Sequence, residues 1–102
     1  MRRTITYRHR IGRDAWMRVR LTTVDGVLTS YAVVLAALDG PTPRTIRVFD
    51  NAHGRNEMHR YTRSGGKERG ETFHHGHPSE AAQAALLAVS EGWEEMVSAW
   101  YV

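Results

Sequence analysis

The sequence predicts an α+β fold, an antiparallel sheet of about five strands covered on one face by a long C-terminal helix. Three observations predict it. Asp25-Gly26 stands between apolar residues, which is the tight-hairpin signal. Apolar and polar residues alternate on both sides of that turn, at the period of a strand. From Ala81 to Trp100 the apolar positions recur instead at the 3.6 period of a helix. With 102 residues there is room for one domain, residues 1–102, and one core. A chain of that size buries roughly 65% of its unfolded surface, enough to fold without staples.

Arg3 to Arg10 reads as the first strand, with Ile5 and Tyr7 on one side. A two-residue turn at Asp25-Gly26 then pairs residues whose numbers sum to 51: Thr23 with Leu28, Leu21 with Ser30, Val19 with Ala32 and Met17 with Val34. This register predicts a core face of Met17, Val19, Leu21, Leu28, Ala32, Val34 and Ala36. The other face carries Arg18, Arg20, Thr22, Thr29 and Tyr31, with Trp16, Val33 and Leu35 at its far end. Gly40-Pro41-Thr42-Pro43 is expected to be a turn, because prolines interrupt a ladder. Arg44 to Phe49 is the fourth strand, with Ile46 and Val48 inward. Asp50 to Gly54 has turn chemistry, and Glu57 to Arg63 forms a fifth strand. A flexible Ser64-Gly65-Gly66-Lys67 connection leads to a short edge strand over Glu71 to His75. Pro78 opens the helix, with Glu80 placed to favour its N-terminal dipole. Ala82, Ala85, Leu86, Val89, Trp93, Met96, Val97 and Trp100 line its apolar side.

Composition narrows the function. Cysteine is absent, which excludes disulfides, thiolate metal sites and cysteine nucleophiles. No apolar run is long enough for a membrane span, so no membrane partner and a cytoplasmic location are expected. The net charge of +3 is unevenly distributed: Arg2 to Arg20 hold seven arginines and one acid, whereas Pro78 onward holds four acids and no basic residue. Such polarity suits a surface that faces phosphate. A GC-rich coding bias would equally produce a chain in which all but one of 14 basic residues are arginine.

The densest chemistry lies between Asp50 and Pro78, which holds five of the six histidines. Two functions fit. Imidazoles act as general base and acid near neutral pH, and RNA is the natural target because its 2′-hydroxyl attacks its own phosphate without a metal. In that reading His53 and His75 are the acid/base pair, with His59 beside them. Asp50 orients an imidazole and Arg60 clamps the phosphate. Asn51, Arg47, Arg63, Lys67, His74 and His77 contact substrate, and no cofactor is needed. The alternative is a non-catalytic binding module whose His53, His59, His75 and His77 hold Zn²⁺ or Mn²⁺, or meet a protein partner. An extended run from Glu71 would set His75 and His77 on one surface.

Elsewhere the signals are weaker. Ser64-Gly65-Gly66-Lys67 lacks the glycine and hydroxyl residues of a phosphate loop. Arg18, Arg20 and Tyr31 could track a nucleic-acid strand, although any solvated strand face has that composition. Trp100-Tyr101-Val102 either packs back on the sheet or joins a homodimer interface through the C-terminal helix.

The segment from Arg44 to the helix resembles the TumE-type toxins of bacterial toxin–antitoxin pairs. The likeness rests on Arg47, Asp50, Asn51 and His53, followed by Phe73, His74, His75 and His77. It also resembles a family of small bacterial proteins with an Asn56-Glu57-Met58-His59-Arg60-Tyr61-Thr62 core and no implied function. The toxin resemblance implies a growth-inhibiting effector that acts on RNA and is neutralised by a helix-turn-helix antitoxin protein.

Overall fold

A computed structural model describes residues 1–102. It contains β1 (Arg2–Gly12), β2 (Ala15–Val24), β3 (Val27–Asp39), β4 (Thr42–Asp50), β5 (Glu57–Arg60), β6 (Glu71–Thr72) and α1 (Pro78–Tyr101). The strands form one antiparallel sheet in the order β1-β2-β3-β4-β5-β6, so each pairs with its neighbour in the chain. The helix crosses one face of this meander and rests on β3 and β4. The α+β architecture expected from the sequence is therefore the one observed.

The hairpin turn forms as its residues require. Asp25 and Gly26 take φ of 51° and 82°, and Val24 stands opposite Val27. Beyond Thr23 and Leu28 the register slips, because Thr22 pairs with Ser30 and Thr29 is left over as a bulge. Since side chains alternate at period two, one extra residue turns the rest of β3 over. Met17 and Val19 do face the core from β2, but opposite them stand Leu35 and Val33, with Tyr31 opposite Leu21. Tyr31, Val33 and Leu35 are fully buried, whereas Ala32 and Val34 lie on the helix-free face.

A second slip separates the pairs Leu35–Arg47 and Ala36–Thr45, leaving Ile46 as the extra residue. Ile46 is buried as expected. Val48, expected inward, pairs with Val34 on the helix-free face, and Phe49 takes the core position. The predicted turn at Gly40-Pro41-Thr42-Pro43 shortens to Gly40-Pro41, since β4 already begins at Thr42 and Pro43 stands opposite Leu38. Proline is tolerated there because it sits at the start of the strand.

The helix begins at Pro78, as expected, and runs one residue past Trp100 to Tyr101. Ala81, Ala82, Ala85 and Val89 are buried against the sheet, and Trp100 packs back on it. Alanines at the contact let the helix axis approach closely. Where the helix needs still more room, Gly12 supplies it: a Cβ there would collide with the Trp93 ring. Each fully buried core residue such as Leu35 or Val89 stabilises the fold by about 2 kcal/mol. The helix does not cover β1, so Ile5 and Tyr7 remain 44% and 42% exposed. No helix is long and apolar enough to cross a membrane.

Candidate functional site

The register sorts the arginines of the N-terminal strands by face. Arg8 stands directly opposite Arg18, Arg20 opposite Thr6, and Arg10 opposite Trp16, all on the helix-free face. Arg2, Arg8, Arg18 and Arg20 are exposed, and none of them meets a carboxylate. Arg18 and Arg20 border a shallow cavity of ≈160 Å³ whose floor includes the small residues Ala32 and Val34. Tyr31, expected among these arginines, is on the other side of the sheet because of the Thr29 bulge.

The histidine-rich segment does not converge as a whole. β5 ends at Arg60 rather than Arg63, and β6 ends at Thr72 rather than His75. His59 pairs with Val48 on the helix-free face and is buried, while the next residue, Arg60, pairs with Arg47 on the helix side. Arg60 binds Glu71 there, so it cannot clamp a phosphate beside His59. His59 is sealed by the connection to β6. Its Nδ1 lies 3.2 Å from the Glu68 carbonyl oxygen, and a Cβ on Gly70 would stand 2.5 Å from its Cε1. The carboxylate near an imidazole is Glu57, 3.8 Å from His59 Nε2, not Asp50. Asp50 instead faces Glu57 across the strands and accepts a 3.4 Å hydrogen bond from Ala52 N–H.

Two further predicted contacts are structural. Asn51 accepts from the Tyr31 N–H at 3.1 Å and donates to the Thr29 carbonyl at 2.9 Å, clasping the β3 bulge from both sides. His77 caps α1: its Nδ1 accepts from Ser79 N–H at 3.1 Å, and its own N–H donates to Glu80 at 3.4 Å. It does not line the cavity that His74 and His75 share. His53 is exposed on the turn closed by the Gly54 N–H to Asn51 carbonyl bond. Arg63 reaches Asp39 and stacks over Trp100 and Tyr101, and Lys67 is exposed in a bridge with Tyr61. No three His, Asp or Glu side chains come together as a metal site, so the set His53, His59, His75 and His77 is not assembled.

What does converge is smaller. His74 and His75 share a cavity of ≈230 Å³ with Arg55, Asn56, Thr72 and two glycines. Arg55 is held by Glu57 at 3.1 Å. The loop carrying the two histidines is fixed by Asn56, whose side-chain N–H groups donate to the His74 and Gly76 carbonyls at 3.2 and 3.1 Å. Asn56 also accepts the Tyr31 hydroxyl at 2.8 Å, and its carbonyl accepts from Phe73 N–H. Burial, with the Asp50 charge adding to it, pushes the Tyr31 hydroxyl well above the ordinary tyrosine pKa, so Tyr31 remains a donor.

Buried polar clamps thus lie under a half-buried His74 and an exposed His75. A domain of unknown function, DUF7718, matches residues 1–101. The chain belongs to the DUF7718 family. No curated protein and no solved structure matches it, so the likeness to TumE-type toxins rests on the residues quoted for it alone. In this DUF7718 domain, sequence reasoning missed Tyr31, Arg55 and Asn56. The bulge hid Tyr31. A lone Asn before a strand carries no local signal, because its four partners lie 17 to 25 positions away. The opposed faces of His59 and Arg60, by contrast, follow from strand alternation.

Proposed function

We propose that this DUF7718 domain binds RNA along the helix-free face of β1 and β2 and acts on it as a toxin-type effector. The observation that carries the reading is the direct pair Arg8–Arg18 beside Arg20, none of which forms an ion pair, the carboxylates of that face (Asp50 and Glu57) standing on β4 and β5. Like charges directly opposite on a sheet are destabilising. A polyphosphate strand relieves that repulsion, and the shallow Arg18–Arg20 cavity offers an apolar floor on which a base can rest. Binding of the RNA backbone is measured by fluorescence anisotropy with a short single-stranded RNA across a salt series. Replacing Arg8, Arg18 and Arg20 together with alanine should flatten the slope of log K against log salt by about 2, from about 0.7 per lost phosphate contact. An unchanged slope would overturn the reading.

The cavity of Arg55, His74 and His75 favours a second step, cleavage of the bound strand. Two imidazoles there supply a base for the 2′-hydroxyl and an acid for the departing 5′-oxygen, while Arg55 offsets charge on the phosphorus. Both acid/base groups then come from one stretch, and His53 and His59 take no part. Purified protein should cleave RNA in EDTA, and His75→Ala should abolish cleavage while leaving the anisotropy unchanged. Binding without cleavage by the wild type would leave the domain as a non-catalytic RNA-binding module.

A further inference from the structure

Beneath the last turn of α1, on the opposite side of the sheet from the proposed RNA face, lie donors with nothing to donate to. Arg47 is half-buried, its Nε is sealed from solvent, and that nitrogen has no acceptor. The Trp100 indole N–H is likewise buried without an acceptor, in a residue only 6% exposed. Both residues line one cavity of ≈100 Å³, together with Arg60. Native proteins rarely leave buried donors unpaired, so two in one small cavity point to an absent acceptor. Burial, and then the neighbouring Arg60 charge, hold the Arg47 pKa below its ordinary value, against the pull of Glu71. The local carboxylate does not neutralise this cation.

The walls select the acceptor. Ile46 and Met96 make one side apolar, and the volume would hold about three waters. That is room for a carboxylate and a short hydrocarbon stub. A guanidinium edge matches a carboxylate as one planar group to another. Glu68 borders the same cavity but makes no ion pair with Arg47. Its charge disfavours a dianion such as phosphate and tolerates a monoanion. From this geometry we infer that the cleft between β4–β5 and the C-terminal turn of α1 is a carboxylate-binding site held by Arg47, Arg60 and the Trp100 indole N–H. The carboxylate belongs either to a small organic acid or to an acidic side chain of a protein partner. An adjoining groove of ≈410 Å³, bordered by Arg63, Tyr61 and Trp100, gives a longer ligand a way out to solvent.

The three tryptophans give three indole N–H signals, so the site has its own reporter in ¹H–¹⁵N spectra. Propionate, titrated against chloride at matched ionic strength, should shift the Trp100 signal saturably and leave those of Trp16 and Trp93 in place. Arg47→Gln should weaken the effect about tenfold or more. Should circular dichroism show Arg47→Gln unfolded, Arg60→Gln serves instead. Glu68→Gln should bind at least as well as the wild type. A blocked peptide with a central glutamate that saturates below the propionate concentration identifies a protein partner, and the reverse order identifies a small acid. A non-saturable shift, a response in both arginine variants as strong as that of the wild type, or phosphate binding as tightly as propionate overturns the site. Binding seen only in Glu68→Gln would also overturn it, by showing that Glu68 fills the cleft itself. None of these residues lies on the β1–β2 face, so the salt slope for RNA reports separately on the function proposed above.

Discussion

On β1 and β2, Arg2, Arg8, Arg18 and Arg20 stand in solvent and form no ion pair. Toward β4–β6 the arginines are paired: Arg44 and Arg63 share Asp39, Arg55 meets Glu57, and Arg60 meets Glu71. The two ends of one sheet thus use the same residue type differently. At the C-terminal end guanidinium groups close short, irregular strands whose ladders are too brief to hold themselves, β6 having only two residues. At the N-terminal end the strands run 11 and 10 residues, their ladders suffice, and the guanidinium groups of Arg2, Arg8, Arg18 and Arg20 form no ion pair. Arg47 and Arg69 are the unpaired arginines at the C-terminal end, but Arg69 is exposed whereas Arg47 is half-buried with its Nε sealed, and this is why the cleft beside Arg47 reads as a site rather than as a structural tie.

If side-chain clamps hold the β4–β6 end, removing the most connected one should have the largest effect. Asn56→Ala leaves the buried Tyr31 hydroxyl and the His74 and Gly76 carbonyls without their partners. A loss of about 3 kcal/mol is expected, the sum of a lost buried network and its desolvated remnants. Urea unfolding measures it. A loss below about 1 kcal/mol would mean that the loop bearing His74 and His75 is held by something else, and the contrast between the two ends would weaken.

How far the sequence shows this contrast can be followed residue by residue. The helix is legible because a 3.6 period over Ala82 to Trp100 and a proline at its first position are local signals. The meander is legible because each strand is bounded by turn residues. The faces of β3 are not, since the decisive extra residue at Thr29 is fixed by Asn51, 22 positions away in the chain. A clamp across that distance leaves no local pattern. Histidine density draws the eye to the segment between Asp50 and Pro78, but density says nothing about direction. Asn51 turns its side chain to the main chain of β3 and His77 caps α1, so that only His74 and His75 share a cavity.

A smaller effect tests the same clamp from its other partner. Because the folded-state pKa of Tyr31 is raised above its unfolded value of about 10, the native state holds that proton more tightly. The associated stability is complete below pH 10 and is lost as pH rises above it, where only the unfolded chain ionises freely. Tyr31→Phe should flatten this alkaline decline while lowering neutral-pH stability by about 1 kcal/mol, since Asn56 then loses a donor. Thermal melts at a series of pH values check both parts. A decline of equal steepness in the variant would place its cause in other tyrosines.

The smallest expected change carries the opposite sign and bears most directly on the N-terminal end. Arg18→Thr removes one member of the like-charged pair with Arg8 and substitutes a residue of higher strand preference. Stability should rise by roughly a few tenths of a kcal/mol, within the range of single cross-strand pairs. RNA affinity in the same variant should fall. Either change alone has an ordinary explanation, but the two together do not: a residue that costs the free protein stability and contributes only when a polyanion is present is placed there for the partner. Loss of stability in Arg18→Thr would mean that the arginine stem packs usefully over Ala32 and Val34, and the face would then resemble the paired end of the sheet more than it differs from it.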